Sequence, residues 1–268
     1  EFSHKAEEFD HVIKMGRTQM QDAVPIRLGQ EFKAYSVAVM RDIRRMDKAM
    51  EEMCTLNMGG TAIGTGINAD EAYLRRIVPN LAEVSNMEFV QAFDLIDATQ
   101  NLDPFVAVSG AIKACAVTLS KIANDLRLMS SGPKAGFNEI NLPVRQNGSS
   151  IMPGKVNPTQ CEALTMVAVQ VMGNDIAISL AASQGNFQLN VFLPVSAYNF
   201  LLSCNLLADA MDSFRVHCVD GITPNARRME ENLNNSLMLV TCLTPEIGYE
   251  EAAACAKKAL QEGLTLRE

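Results

Sequence analysis

Apolar residues recur with helical spacing along most of the chain. In residues 39–53 the spacing alternates between four and three positions, and residues 108–129 keep the same alternation over three heptads. Such a seam is typical of helices that pack along one another. The two seams consist of Val39, Ile43, Met46, Met50 and Met53, and of Val108, Ile112, Cys115, Leu119, Ile122, Leu126 and Met129. The pattern predicts long helices, the second of which ends before Gly132-Pro133.

Two further apolar segments extend this interpretation. Residues 157–182 are mostly apolar on every side, with Asn174 and Asp175 as interruptions, which predicts a helix surrounded by neighbours, as in an oligomer. A second helix is predicted from Val195 to Cys218, and no alternation sustained enough for a sheet is evident. We therefore predict an all-α, long-helix bundle at residues 1–221. The more charged tail, residues 222–268, is predicted to begin a small C-terminal helical domain.

Three loops rich in glycine and polar residues interrupt the helices, at residues 14–25, 57–68 and 148–158. The last, GSSIMPGKVNP, combines two serines, two glycines and a lysine, a composition suited to holding an anion. Asn157, Pro158 and Gln160 suit the cap, first-turn and capping-box positions of a following helix. A solvated loop is the alternative. A nucleotide-binding P-loop is excluded, because Ser149 and Val156 stand where it needs a glycine and a Ser or Thr.

The 148–158 segment resembles the signature loop of the aspartase/fumarase superfamily, and GRTQMQDAVP resembles a second active-site segment of those enzymes. The resemblance covers the whole chain. It implies a homotetrameric lyase that eliminates a group from a small dicarboxylate, often releases fumarate and needs no cofactor. It also implies active sites shared between subunits.

The resemblance further implies a role for individual residues. Ser149 matches the catalytic general base, a demanding role because a serine hydroxyl normally keeps its proton far above neutral pH. Glu162 matches a supporting residue that orients a histidine in fumarases. The residues matched to substrate binding are Thr18, Gln19, Ser150, Lys155 and Asn157.

The two halves of the chain favour different activities. Up to about Ser150 the phrases resemble an aspartase, whereas KVNPTQCEALTM and later phrases resemble a class II fumarase. Gln19 occupies the place of the fumarase histidine, and glutamine there is a feature of many aspartases. We therefore interpret the protein as an aspartate ammonia-lyase, with fumarate hydratase as the close alternative. A non-catalytic helical scaffold is the alternative from another class.

Composition narrows the possible partners. The chain has 268 residues, a net charge of −8 and no run of about eighteen uncharged apolar residues, so we expect no nucleic acid and no membrane partner. Seven cysteines without a CxxC pair predict buried free thiols in the cytoplasm, and three scattered histidines predict no metal. We expect the chain to be a piece of a longer protein without its N-terminal domain, and to turn over little substrate alone.

Overall fold

The computed structural model describes all residues, Glu1–Glu268. The helices are α1 Phe2–Glu8, α2 Leu28–Met50, α3 Glu71–Ser85, α4 Leu95–Gln100, α5 Asp103–Met129, α6 Thr159–Ala182, α7 Leu193–His217, α8 Ala226–Asn235, α9 Thr244–Ile247 and α10 Tyr249–Glu262. The strands are β1 Ile13–Thr18, β2 Gln21–Arg27, β3 Thr55–Leu56, β4 Val90–Gln91, β5 Ile140–Asn141 and β6 Thr223–Pro224. Short 3₁₀ turns occupy Glu51–Cys54, Val219–Gly221 and Leu237–Leu243.

The predicted long helices are confirmed. Helix α5 ends at Met129, before Gly132-Pro133, and α6 and α7 begin and end within two residues of the predicted bounds. All seven apolar residues of the α5 seam are buried. On α2, by contrast, Ile43 and Met50 are 42% and 52% exposed within the single chain. The helical period was therefore sufficient to predict both helices, but it did not distinguish a covered seam from an uncovered one.

The expectation of no sheet was wrong at one place. Strands β1 and β2 form an antiparallel hairpin, in which Ile13 pairs with Arg27 and Thr18 with Gln21. The register shifts between Met15 and Arg17, where Gly16 lies so close to the opposite strand that a Cβ there would be 2.6 Å from Val24 O. This bulge and the exposed apolar side chains Ile13 and Val24 hide the strand alternation in the sequence. The other strands are two residues long, so the all-α class holds.

The chain forms two compact units. The first contains residues 1–37, 124–161 and 213–268, and the second contains residues 38–123 and 162–212. Each of the four longest helices contributes residues to both units. The first unit therefore contains the C-terminal tail, residues 222–268, together with the β1–β2 hairpin and the signature loop. The predicted domains, 1–221 and 222–268, remain a prediction.

The two polar interruptions of α6, Asn174 and Asp175, are paired inside the second unit. Asp175 accepts hydrogen bonds from Ser109 Oγ at 2.7 Å and Lys113 Nζ at 2.6 Å. Asn174 Nδ2 donates to Ser203 Oγ at 3.0 Å. These bonds offset the cost of burying the polar interruptions of α6, because a buried polar group is costly only when it lacks a partner.

Helices α5 and α6 are long and apolar enough to cross a membrane by length and composition, once up to two charged residues are tolerated. Central helices of a bundle have the same composition, so this is weak evidence for a membrane span. The expected absence of a membrane partner and the cytoplasmic location stay predictions.

Candidate active site

The β1–β2 hairpin carries Thr18 and Gln19 at its tip. Gln19 and Met20 form its two-residue turn, with φ angles of 52° and 64°. Positive φ at both positions is what a type I′ turn requires, and Asn-Gly is the favoured pair because other residues are strained there. The strained turn leaves the Thr18 and Gln19 side chains exposed at the end of the hairpin.

The base of the hairpin, unlike its tip, is held by buried charges. Lys14 Nζ lies 3.0 Å from Glu31 Oε2 and 3.0 Å from Glu139 Oε2, while Arg17 Nη1 donates to Glu139 Oε1 at 2.7 Å. The Arg17 guanidinium also lies 4.4 Å from the centre of the Phe137 ring. These contacts fix the residue that directly precedes Thr18.

The signature loop closes on itself through its backbone. Ser149 N donates to Lys155 O at 2.9 Å, and Lys155 N donates to Met152 O at 3.1 Å. A Cβ at Gly148 would lie 2.8 Å from Lys155 O, and Gly154 has a φ of +83°, so both glycines are needed for this closure. The result is a tight turn with Ser149 at its start and Lys155 at its end.

The Ser149 hydroxyl receives two backbone donors. Its Oγ accepts from Met152 N at 3.2 Å and, more weakly, from Ile151 N at 3.4 Å, and the side chain is half-buried. Donors directed at a serine oxygen stabilise it more strongly as its negative charge grows. The arrangement therefore suits a serine oxygen that gives up its proton. The deprotonated oxygen has a third lone pair, which could accept a proton.

Lys155 and Asn157 are brought together, but in a way that alters the predicted helix start. Lys155 Nζ donates to Asn157 Oδ1 at 2.6 Å, and Gln160 Oε1 accepts from Ser213 Oγ at 2.9 Å. Helix α6 begins at Thr159. The predicted capping box is therefore not formed, because both amide side chains are occupied by other partners. The hydrogen bond to Asn157 holds the Lys155 ammonium group beside the loop.

The remaining predicted residues are more dispersed. Ser150 is exposed, and Glu162 lies in the first turn of α6, where its carbonyl accepts from Thr165 Oγ at 2.8 Å. No hydrogen bond or ion pair joins the side chains of Thr18 or Gln19 to the signature loop. The chain thus presents two separate groups of candidate residues, one at the hairpin tip and one in the loop. The assignment of these residues to a site stays a prediction.

The cysteines are all free thiols. Cys115, Cys161 and Cys218 are buried as predicted. Cys54 and Cys204 are only partly buried and Cys242 and Cys255 are exposed, so the prediction of buried thiols was wrong for these four. The hydrogen bond between Cys218 and Cys161, with 3.8 Å between the sulfurs, raises the pKa of the Cys218 thiol, and burial raises it further. No group of three or more His, Cys, Asp or Glu side chains is arranged to hold a metal ion.

Comparison with known proteins decides the family. A family model described as "Lyase" matches residues 1–173, well over half of the chain. The chain belongs to the lyase family. The aspartase/fumarase superfamily expected from its two motifs is thereby confirmed, and a second model, "Fumarase C C-terminus", matches residues 239–268 of the chain.

Relatives of the chain have two different names. It is 50% identical over 267 residues to a class II fumarate hydratase of Helicobacter pylori, covering 100% of this chain and 58% of the relative. It is 54% identical over 263 residues to an aspartate ammonia-lyase of Pseudomonas canavaninivorans, covering 98% of this chain and 56% of the relative. The chain thus spans little more than half the length of these relatives.

Solved structures support the same fold. The class II fumarase of Schistosoma mansoni superposes with a TM-score of 0.96 at 39% identity, and the match covers 99% of this chain and 59% of the fumarase. A fumarate lyase:delta crystallin of Brucella melitensis, bound to cobalt, gives a TM-score of 0.95 at 47% identity, covering 99% and 58%. The helical-bundle fold class is confirmed by both.

Sequence reasoning missed the buried charges beneath the hairpin. Glu139 is completely buried, yet it lies in a short segment, NEI, that was not singled out. One signal was available in the sequence. Glu139 directly precedes the apolar Ile140 outside any helical pattern, so the sequence offers no polar helix face that would expose its carboxylate to solvent. Its partners Lys14 and Arg17, 125 and 122 positions earlier, were not identifiable without the tertiary structure.

Proposed function

We propose that the whole protein of which this chain forms part is an aspartate ammonia-lyase, which converts L-aspartate reversibly into fumarate and ammonia. The observation that carries the proposal is Gln19, exposed at the hairpin tip where fumarases have a histidine. Glutamine cannot exchange a proton near neutral pH, so the acid/base pair used in hydration cannot be written with this residue. The aspartate ammonia-lyase of Pseudomonas canavaninivorans, 54% identical, supports the same activity.

The proposed reaction assigns Ser149 as the general base. Its hydroxyl first loses its own proton to solvent; the resulting oxygen anion takes a proton from the carbon next to one carboxylate, and the electron pair of that bond is held in the carboxylate as an aci-carboxylate dianion. The C–N bond on the adjacent carbon then breaks, the new double bond forms and ammonia leaves. The amides of Ile151 and Met152 stabilise the serine oxygen, and Lys155 offers a positive charge to a carboxylate.

Thr18, Gln19, Ser150 and Asn157 are proposed to bind the substrate, with Glu162 in support. Because the two groups of residues are not joined within the chain, we infer that different copies contribute them to one site in a homotetramer. An exposed apolar stripe on α6 supports such an assembly, since soluble monomers rarely leave one uncovered. The stripe consists of Met166, Val169, Ile176 and Leu180, each at least 60% exposed.

Fumarate hydratase is the second candidate. The Helicobacter pylori relative, 50% identical, is named a class II fumarate hydratase, and the fumarase C C-terminal model matches residues 239–268. A purely structural scaffold explains less, because it has no need of an ordered Ser149, Lys155 and Asn157 in one loop.

The test is a pair of assays on the whole protein, namely ammonia release from L-aspartate and fumarate formation from L-malate. We expect turnover of L-aspartate. Turnover of L-malate without turnover of L-aspartate would overturn the proposal. The Ser149→Ala variant, purified in parallel, controls for contaminating host enzymes. Turnover of neither substrate would favour the scaffold.

A substitution at the hairpin tip sharpens the choice. Gln19→His is expected to lower aspartate turnover and to raise the ratio of malate to aspartate turnover. Gln21→His, at an exposed position two residues later, is the matched control and should leave the ratio unchanged. An unchanged ratio in both variants would remove Gln19 from the discrimination between ammonia and water.

A further inference from the structure

We propose that Glu139 is a positioning residue, which holds the substrate-binding tip of the hairpin in place through Arg17 and Lys14. The inference rests on the proposed function, because that function assigns Thr18 and Gln19 to substrate binding. It extends the proposed site to a carboxylate that touches no substrate.

The surroundings of Glu139 make it the central charge of this cluster. Its side chain is fully buried, with Arg17 Nη1 2.7 Å from Oε1, Asn232 Nδ2 3.4 Å from Oε1, and Lys14 Nζ 3.0 Å from Oε2. A buried carboxylate is tolerated only when opposite charges and donors compensate the loss of water. Here two cations from one strand provide that compensation.

The backbone of Glu139 is fixed independently of the hairpin. Its N–H donates to Met129 O at 2.8 Å, at the end of α5, and its carbonyl accepts from Asn225 N at 2.8 Å, at the start of α8. The next residues, Ile140–Asn141, pair with β6. The carboxylate is therefore an anchor on a frame of helices, and nine residues later the same segment reaches Gly148 and the signature loop.

The hairpin depends on that anchor. Arg17 directly precedes Thr18, and its only anionic partner is Glu139. Lys14 has a second anionic partner, Glu31 on α2. Neither Thr18 nor Gln19 makes a side-chain hydrogen bond within the chain, so the position of the tip is set from its base. Loss of the Glu139 charge would leave Arg17 with the Phe137 ring as its remaining contact and would loosen the strand end that presents both residues.

The first test is Glu139→Gln in the whole protein, a change that keeps the size of the side chain and removes its charge. We expect the KM for aspartate to rise roughly tenfold or more, as for loss of one hydrogen bond to a charged group, with a smaller fall in kcat. Backbone amides of residues 13–18 should exchange with deuterium faster, while amides of α5 keep their protection. Adding Lys14→Gln, which restores the charge balance of the cluster, should recover part of the KM.

The matched control is Asp175→Asn, in the other compact unit. Asp175 is also a buried carboxylate paired with a lysine, and its partners Ser109 and Lys113 lie in that same unit. A general loss of stability would affect both variants. A positioning role instead predicts that Glu139→Gln alone raises KM and speeds deuterium exchange at the hairpin amides. Should Glu139→Gln fail to fold, Glu139→Asp keeps the charge, shortens the reach and carries the same test.

Equal effects of Glu139→Gln and Asp175→Asn on KM and on hairpin exchange would overturn the positioning role. Failure of the proposed function looks different, because the unmodified protein would then turn over L-malate but not L-aspartate, or neither substrate. Even in that case, the exchange measurement decides whether Glu139 holds the hairpin, and unchanged exchange at residues 13–18 would reject the inference.

Discussion

The hairpin tip and the signature loop carry the candidate residues, but the chain holds them by opposite means. Beneath the tip, Lys14 and Glu139 are buried and ion-paired, and the strands pair through backbone hydrogen bonds. The loop is closed mainly by its own short-range bonds, and it exposes apolar side chains, with Ile151 82% exposed. The comparison teaches that one segment is positioned by the core, whereas the other is positioned by its own turn.

This difference predicts which property a substitution in each segment will change. A change at the base of the hairpin alters buried charges and packing, so it should affect the free energy of unfolding of the chain. A change in the exposed loop should affect turnover while leaving that free energy nearly unchanged, because surface substitutions seldom cost much stability. Four predictions test this contrast.

The largest effect is expected from Ser149→Ala in the whole protein. Loss of the proposed general base should lower kcat by about 10²–10⁴-fold, with the melting temperature and assembly unchanged. Steady-state kinetics and thermal unfolding, measured on the same preparation, provide the check. Retained turnover would exclude serine from the role of base.

Lys155→Met should act on binding more than on folding. The ammonium is exposed and its partner is Asn157 within the loop, so its removal leaves no buried charge behind. We expect kcat/KM to fall by roughly 10–100-fold, as for loss of a hydrogen bond to a charged group. Lys134→Met, at another exposed loop lysine, is the control and should leave kcat/KM unaltered.

A pair of glycine substitutions compares the two segments directly. A Cβ at Gly16 would lie 2.6 Å from Val24 O in the hairpin, and one at Gly148 would lie 2.8 Å from Lys155 O in the loop. Gly16→Ala should destabilise the chain by about 1–3 kcal/mol, measured by chemical denaturation. Gly148→Ala should lower turnover and leave the denaturation midpoint close to its original value.

Gly110→Ala controls for the loss of glycine flexibility. It lies within α5 with nothing within 4 Å of the added Cβ, and it should stabilise the chain by about 0.5–1 kcal/mol. If Gly16→Ala and Gly148→Ala shift the denaturation midpoint equally, the proposed contrast between hairpin and loop is wrong.

The smallest effect concerns the hairpin turn. Met20 has a φ of 64°, so Met20→Gly should relieve strain and raise the free energy of unfolding by about 1 kcal/mol. The same change at Met40, inside α2, should destabilise the helix by a similar amount. A stability gain without loss of activity would show that the strain at Met20 is not needed for turnover.

The sequence by itself determined the helices and the family. The seam of α5 repeats every three or four residues because one face of a helix must be buried, so its period predicted both the helix and its buried side. The signature loop was recognisable because its glycines, serines and lysine are adjacent in the chain. Local chemistry of this kind needs no knowledge of distant residues.

Only the tertiary structure decided how the candidate residues are held. The Glu139 cluster joins residues more than 120 positions apart, and neither a bulged hairpin nor the Ser213 partner of Gln160 follows from a local period. The reason is physical: a buried charge is tolerated by whichever opposite charge the fold brings beside it, and that partner is a property of packing. Short-range spacing specifies which elements form, whereas long-range contacts specify where the side chains of the site are placed.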